Sequence, residues 1–212
     1  HLIFILICFQ GILGWYMVRS GLVDRVDVSH FRLSIHLLFA FIILSLIFWS
    51  YLSLNNFTAK NKIIRGYVPE GFLLLVFVQI VIGAFVSGMD AGKIYNSWPL
   101  MGNTYFPDDN KFNNLFKLSA FNDPSIVQFI HRNLAYIITG VYLILLIKIY
   151  RNKINKLFKS INILGLIIFF QVFLGILTIL NGAEIFIASL HQFGSIFLIT
   201  SSLYLVFKNR FS

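Results

Sequence analysis

Residues 126–149 read IVQFIHRNLAYIITGVYLILLIKI, an apolar run broken by His131 and Arg132 about one and a half turns from its start and by Lys148 at its finish. At 1.5 Å per residue such a run crosses a hydrocarbon core of about 30 Å. Backbone groups in lipid must pair within their own segment, so the run has to be a helix. Comparable runs lie on either side, at 2–18, 33–54, 71–89, 161–180 and 185–207. With 58% apolar and 12% charged residues over 212 positions, and a mean hydropathy of +0.82, the chain reads as an all-α polytopic membrane protein of six spans.

Basic residues orient the spans. Lys60, Lys62 and Arg65, then Lys148, Arg151, Lys153, Lys156 and Lys159, then Lys208 and Arg210 fall on one side, where Glu70 is the one acid. Arg19, Arg25, Arg32, Lys93, Lys111, Lys117 and Arg132 fall on the other, balanced by Asp24, Asp27, Asp90, Asp108, Asp109, Asp123 and Glu184. By the positive-inside rule the first side is cytoplasmic, or faces a matrix, and the second faces outward. The net charge of +9 is therefore an orientation signal. With no basic stripe interleaved by aromatics on a soluble domain, a nucleic-acid partner is not expected. Cys8 is alone, which leaves no disulfide or dithiol chemistry within the chain and reads as apolar packing. The first run makes a poor signal peptide, because its charge follows in Arg19 and no small-x-small cleavage site is present.

On this orientation the second, fourth and sixth spans run inward. His36, His131 and His191 then lie one to two turns below the outer face, at nearly one depth. A lone imidazole in an apolar helix is most simply a core group bonded to a neighbouring carbonyl. Three at matched depth on equivalent helices point instead to metal ligation. Each is followed four residues later by a small residue (Ala40, Ala135, Ser195), which leaves room for a flat macrocycle against the backbone. That is the pattern of a membrane haem site. His1 and His30 are weaker candidates. Arg32 and Arg132 either pair with haem propionates turned toward the outer water or snorkel to the interface. The loop 90–125, with Tyr95, Trp98, Tyr105 and Phe106, either covers the outer mouth as a lid or forms an aromatic belt.

A second register repeats with the first. Gln10 precedes Gly14, Gln79 precedes Gly83 and Gln171 precedes Gly175, each pair on an outward-running span, so a helix-pair unit recurs at 10–40, 79–135 and 171–195. The glutamines either bond a cofactor edge or act as interhelical amide glue beside close-packed glycine, and the second, simpler reading is adopted. Gly83 with Ser87 and Ala84 with Gly88 read as packing contacts in the same way. The last two units make a four-helix bundle in which His131 and His191 can face each other and hold one six-coordinate haem. Residues 69–212 are thus expected to form a C-terminal haem-binding half. Residues 1–68, with His36 and only two helices, are expected to be part of a second, pseudo-symmetric bundle. A chain that begins at His1 without an initiator methionine is most simply N-terminally truncated.

The stretch QGILGWYMVRSGL at 10–22, Phe31-Arg32-Leu33 with His36-Leu37, Asp90-Ala91-Gly92 with Asn96-Ser97-Trp98-Pro99-Leu100-Met101, Phe129-Ile130-His131-Arg132 with Ala135-Tyr136, and His191-Gln192 form an ordered set. Together they resemble the haem A synthase family of the alphaproteobacterial and mitochondrial type over nearly the whole chain. The resemblance implies oxidation of the C8 methyl of haem O to a formyl group, by two hydroxylations with loss of water, in support of cytochrome oxidase assembly. It implies eight spans in two halves, with a haem b cofactor between His131 and His191. In the substrate half, His36 is one of two histidines at the catalytic site; the other, with an adjacent glutamate, belongs to a helix absent from this chain. No carboxylate falls within the spans as drawn, so the fragment is expected to bind haem b without being able to turn over. Also implied are a bacterial inner membrane, a haem site toward the periplasm, and haem O synthase and an electron donor as partners.

The main alternative is a membrane b-type cytochrome exchanging electrons with a quinone. It needs haems at both leaflets, whereas every candidate ligand here is on one side. A transporter would show broken helices or charges inside the membrane. Neither is visible in the sequence.

Overall fold

The computed structural model describes residues 1–21, 28–54 and 62–211, with backbone alone at Ser20 and Gly21. Arg25, Asp24, Asp27 and Lys60, used above for orientation, lie outside the described residues. The apolar runs become six helices: α1 (Leu2–Gly21), α2 (His30–Ser53), α3 (Val68–Gly88), α4 (Pro124–Arg151), α5 (Asn155–Leu180) and α6 (Ile185–Phe211). All six are long and apolar enough to cross a membrane. Among the described residues there is no β-strand, only an isolated bridge between Met101 and Thr104.

Each helix departs from its apolar run by one to six residues at one end or both, and two of these shifts have a plain physical reason. Helix α5 starts at Asn155 and carries Lys156 and Lys159, because lysine stems reach the headgroups while the backbone stays helical. The expected basic loop shrinks to a turn in which Lys153 adopts φ 51°. Helix α3 starts at Val68, with Pro69 at a position whose N–H would be unpaired in any case. That takes Glu70 into its first turn, so one carboxylate does lie within a span, at its inner end.

Acids cap the starts of α4 and α6. Asp123 accepts a hydrogen bond from the Ile126 N–H at 3.1 Å ahead of Pro124. Glu184 accepts from the N–H groups of Phe186 and Ile187, each at 3.0 Å, and these bonds hold its carboxyl below the usual carboxylate range.

Helices α3, α4, α5 and α6 pack in a ring, each against its two neighbours, while α1 packs on α2 and α2 leans on α3 and α6. The inner half of the ring is dense. Phe72 and Val76 of α3, Leu145 and Ile149 of α4, Leu157, Ile161 and Leu164 of α5, and Ile199 and Leu205 of α6 are essentially inaccessible. A polar lock closes that end: Asn209, fully buried, accepts from the Ile64 N–H at 2.7 Å, and its own carbonyl accepts from Ile63 at 3.1 Å. Glu70 there pairs with Lys62 at 2.8 Å and Arg210 at 3.0 Å. The outer half differs, since His131 and His191 are half-buried and Phe186, Leu190 and Phe193 are exposed. Lipid-facing side chains such as Leu166 and Phe169 are exposed because the bilayer is their solvent.

Candidate functional site

The histidines sit at matched positions on parallel helices, with α2 beginning at His30, α4 at Pro124 and α6 at Ile185. Six residues of helix separate His30 from His36 and Ile185 from His191, and seven separate Pro124 from His131. At 1.5 Å per residue that sets all three about 9–10 Å below the helix starts.

Each ring rests on the glycine of its repeat unit. A Cβ built on Gly14 would lie 3.1 Å from His36 Cε1, one on Gly83 3.1 Å from His131 Cε1, and one on Gly175 3.2 Å from His191 Cε1. The glycines are therefore spaces for imidazoles, a closer role than the helix packing expected of them. The glutamines do bridge helices, and what they bridge to is the histidine itself. Gln10 Nε2 donates to the His36 carbonyl at 2.9 Å and lies 3.3 Å from His36 Nε2. Gln79 Nε2 repeats this on His131, at 3.1 Å and 3.3 Å. In the third unit the amide of Gln171 occupies the space that a Cβ on Gly194 would need. Gly88 is a packing contact as expected, since a Cβ there would come 2.9 Å from the His30 backbone.

Helices α4 and α6 stand on a diagonal of the ring and bring His131 and His191 together, their ring centroids 6.4 Å apart and their planes at 85°. Iron between two imidazoles needs centroids roughly 6 Å apart, from two metal–nitrogen bonds of about 2.0 Å and the offset of each nitrogen from its ring centre. Both Nδ1 atoms are buried without a hydrogen-bond partner. The glycine cradles, the separation and the donor type all fit an iron porphyrin held by these two residues. His36 has the same cradle and the same unpartnered Nδ1, on a helix outside the ring.

The two arginines part company. Arg32 stacks over Tyr16, its Cζ 5.2 Å from the ring centroid, and its Nη1 is buried without a hydrogen-bond partner. Arg132 is buried, and its Nη1 and Nη2 donate to the carbonyls of Ser97 (2.9 Å), Leu100 (3.3 Å) and Tyr95 (2.9 Å), which leaves only Nε without a partner. Its guanidinium anchors the outer loop, so a bidentate pair with a propionate would require those bonds to break.

That loop is bound to the outer part of α4, with Trp98, Tyr105, Phe112 and Phe116 left exposed. Trp98 Nε1 donates to Tyr136 Oη at 2.9 Å, Tyr105 Oη to Asn133 Oδ1 at 2.6 Å, and Gln128 Nε2 to the Tyr95 carbonyl at 3.0 Å. Asn96 reaches across to the Ile179 carbonyl at the end of α5. Burial raises the Tyr95 phenol well above its ordinary value, helped by its hydrogen bond to Asp108. Burial also raises Asp109, but bonds from Ser125, Tyr95 and Asn110 outweigh it and hold the carboxyl below the usual range. Gln128 and Asn133 escaped the sequence reading, and Tyr136 entered it only as part of a motif, without a partner. The available signal was their spacing along the Arg132 region of α4, with polar groups one turn apart near a helix start. His1 and Cys8 are exposed, and His30 packs on Phe31 and Phe85 at the α2–α3 crossing.

The profile of the COX15-CtaA family, described as cytochrome oxidase assembly protein, matches residues 1–203. The chain is 48% identical over 211 residues to the heme A synthase of Pelagibacter ubique (strain HTCC1062), covering 98% of this chain and 61% of that protein. It is 38% identical over 216 residues to the heme A synthase of Rickettsia prowazekii (strain Madrid E), covering 97% and 62%. With the heme A synthase of Rickettsia africae (strain ESF-5) it shares 39% identity over 204 residues, 92% and 59%. The chain thus spans about three-fifths of the length of these curated relatives.

Proposed function

The chain belongs to the COX15-CtaA family of cytochrome oxidase assembly proteins, and from that membership we propose that it acts in heme A biosynthesis, oxidising the C8 methyl of haem O to a formyl group. The observation that carries the cofactor part is the facing pair His131 and His191, 6.4 Å between centroids, each ring over a glycine of the neighbouring helix. These two would hold a haem b through their ring nitrogens. Bound there, haem b supplies a one-electron redox centre.

The chain's own residues prepare that place. The dense inner half of the ring keeps water from entering from the cytoplasmic end. Arg132 pins the loop backbone to the outer part of α4. Arg32, with an unpaired buried Nη1, is the guanidinium we assign to a propionate. Arg132 holds the loop and has its Nε free for one further acceptor. His36, in a matching cradle, is the imidazole we assign to the substrate haem O.

The division at residues 68 and 69, between a substrate-side pair and a four-helix cofactor half, belongs to the same proposal. So do the bacterial inner membrane, the periplasmic placement of the haem, and haem O synthase and an electron donor as partners. The charge asymmetry of the loops supports the orientation.

The test is pigment extraction. The full-length gene product is expressed in a bacterium that makes haem O but no haem A. Haem A appearing with haem b is the expected result; haem b and haem O alone would refute the reaction. A purified protein without any haem spectrum would refute the cofactor assignment.

A further inference from the structure

We propose that Gln79 and Gln10 are positioning residues that fix the tautomer of His131 and His36, presenting Nε2 as the nitrogen that ligates iron; the inference rests on the haem reading above. Each amide nitrogen faces two atoms of one residue, the backbone carbonyl oxygen at 3.1 or 2.9 Å and the ring Nε2 at 3.3 Å. A carboxamide NH2 has two hydrogens, so it can donate one to each.

The orientation of the amide is settled by the carbonyl. Turning it over would set Gln Oε1 against a carbonyl oxygen at 2.9–3.1 Å, two acceptors with no proton between them. With nitrogen on that side, the ring Nε2 meets a donor. Nε2 must therefore carry the lone pair, and the ring proton sits on Nδ1. Both Nδ1 atoms are buried without a partner, so no competing bond pulls the ring to the other tautomer. The glycine one turn beyond each glutamine completes the device, because Cε1 of the ring comes to 3.1 Å from where a Cβ would be.

The consequence for loading is specific. The lone pair that the amide holds is the one that a metal takes, so ligation releases a single N–H of the glutamine. The bond to the carbonyl remains and keeps the helix pair together. The same geometry in α1–α2 and α3–α4 makes the glutamine a feature of the unit, with one copy on each side of the division at residue 68. Gln171, packed against Gly194, lacks this arrangement in the described structure and serves as the comparison.

The first test needs no variant. Full-length protein stripped of haem and labelled with 15N-histidine is examined in lipid by solid-state NMR. Nδ1-protonated neutral rings at His131 and His36, assigned by loss of each signal in His131→Ala and His36→Ala, are the expected result. Nε2-protonated rings would overturn the proposal.

The second test compares Gln79→Leu with Gln171→Leu. Gln79→Leu is expected to shift His131 toward mixed tautomers, to lower haem b affinity about 10- to 100-fold, and to broaden the low-spin EPR signal of the protein that still loads. Gln79→Leu protein with parental tautomer, affinity and EPR line shape would overturn it, as would Gln171→Leu reproducing the tautomer change at His131. Failure of the parent to bind haem would instead count against the functional reading, since the NMR result stands apart from loading.

Discussion

Gly83→Ala isolates a single contact. The new Cβ would lie 3.1 Å from His131 Cε1, against about 3.5–4.0 Å for carbon atoms at their optimal separation, so the ring must give way by about half an ångström. Turning the side chain off its rotamer to do so costs on the order of 0.5–1.5 kcal/mol. Alanine favours the helix over glycine by about 1 kcal/mol, which acts in the opposite direction. Thermal stability of the detergent-solubilised protein is therefore expected to change little. A ligand set is less forgiving, because productive geometry tolerates only about 0.5 Å. Haem b content per folded protein, measured as pyridine haemochrome, is expected to fall about tenfold. Gly175→Ala should behave alike, with its Cβ 3.2 Å from His191 Cε1, and Gly140→Ala is the control because nothing lies within 4 Å of its Cβ. Gly83→Ala protein with parental haem content would refute the view that this glycine exists to seat an imidazole.

Other outcomes follow from the same geometry. His131→Ala and His191→Ala should each abolish the haem b spectrum while His36→Ala retains it; loss in His36→Ala alone would invert the assignment of cofactor and substrate sides. Arg132→Ala removes donors from the carbonyls of Tyr95, Ser97 and Leu100. Given the usual worth of charged hydrogen bonds, it should destabilise the outer loop by about 2–4 kcal/mol, read as faster proteolysis within 95–122 with α4–α6 intact. Asp109 has a folded carboxyl held below its unfolded value, so its contribution to loop order is complete above about pH 4 and fades as pH falls through the lower folded value. Protease sensitivity of the loop should rise across that acid window in the parent, and Asp109→Asn should remove that dependence; an unchanged profile in the variant would exclude the carboxylate as its source.

Much of the fold was legible because lipid leaves the chain little choice. A run such as 126–149 must be helical and must be about as long as the bilayer is thick. Even so, Lys156 and Lys159 read as loop and are helix, since charge marks where the hydrocarbon ends and not where the backbone hydrogen bonds end.

The site was legible as a register. His-x-x-x-small on inward helices and Gln-x-x-x-Gly on outward ones put these residues on single faces, which spacing alone encodes. Spacing does not say which faces meet. Gln79 reaches His131 from 52 residues away and Gln10 reaches His36 from 26, on different helices, so only their packing turns amide glue into a histidine clamp and a small residue into a ring cradle. The same holds for Arg132, whose charge near an interface suits a propionate as well as a carbonyl until the loop's backbone oxygens are in place to claim it. Local chemistry along each helix was thus written in residue order. Which donor met which acceptor, and why the ring is dense at its inner end and open around the two imidazoles, depended on contacts between helices that no periodicity within one of them can specify.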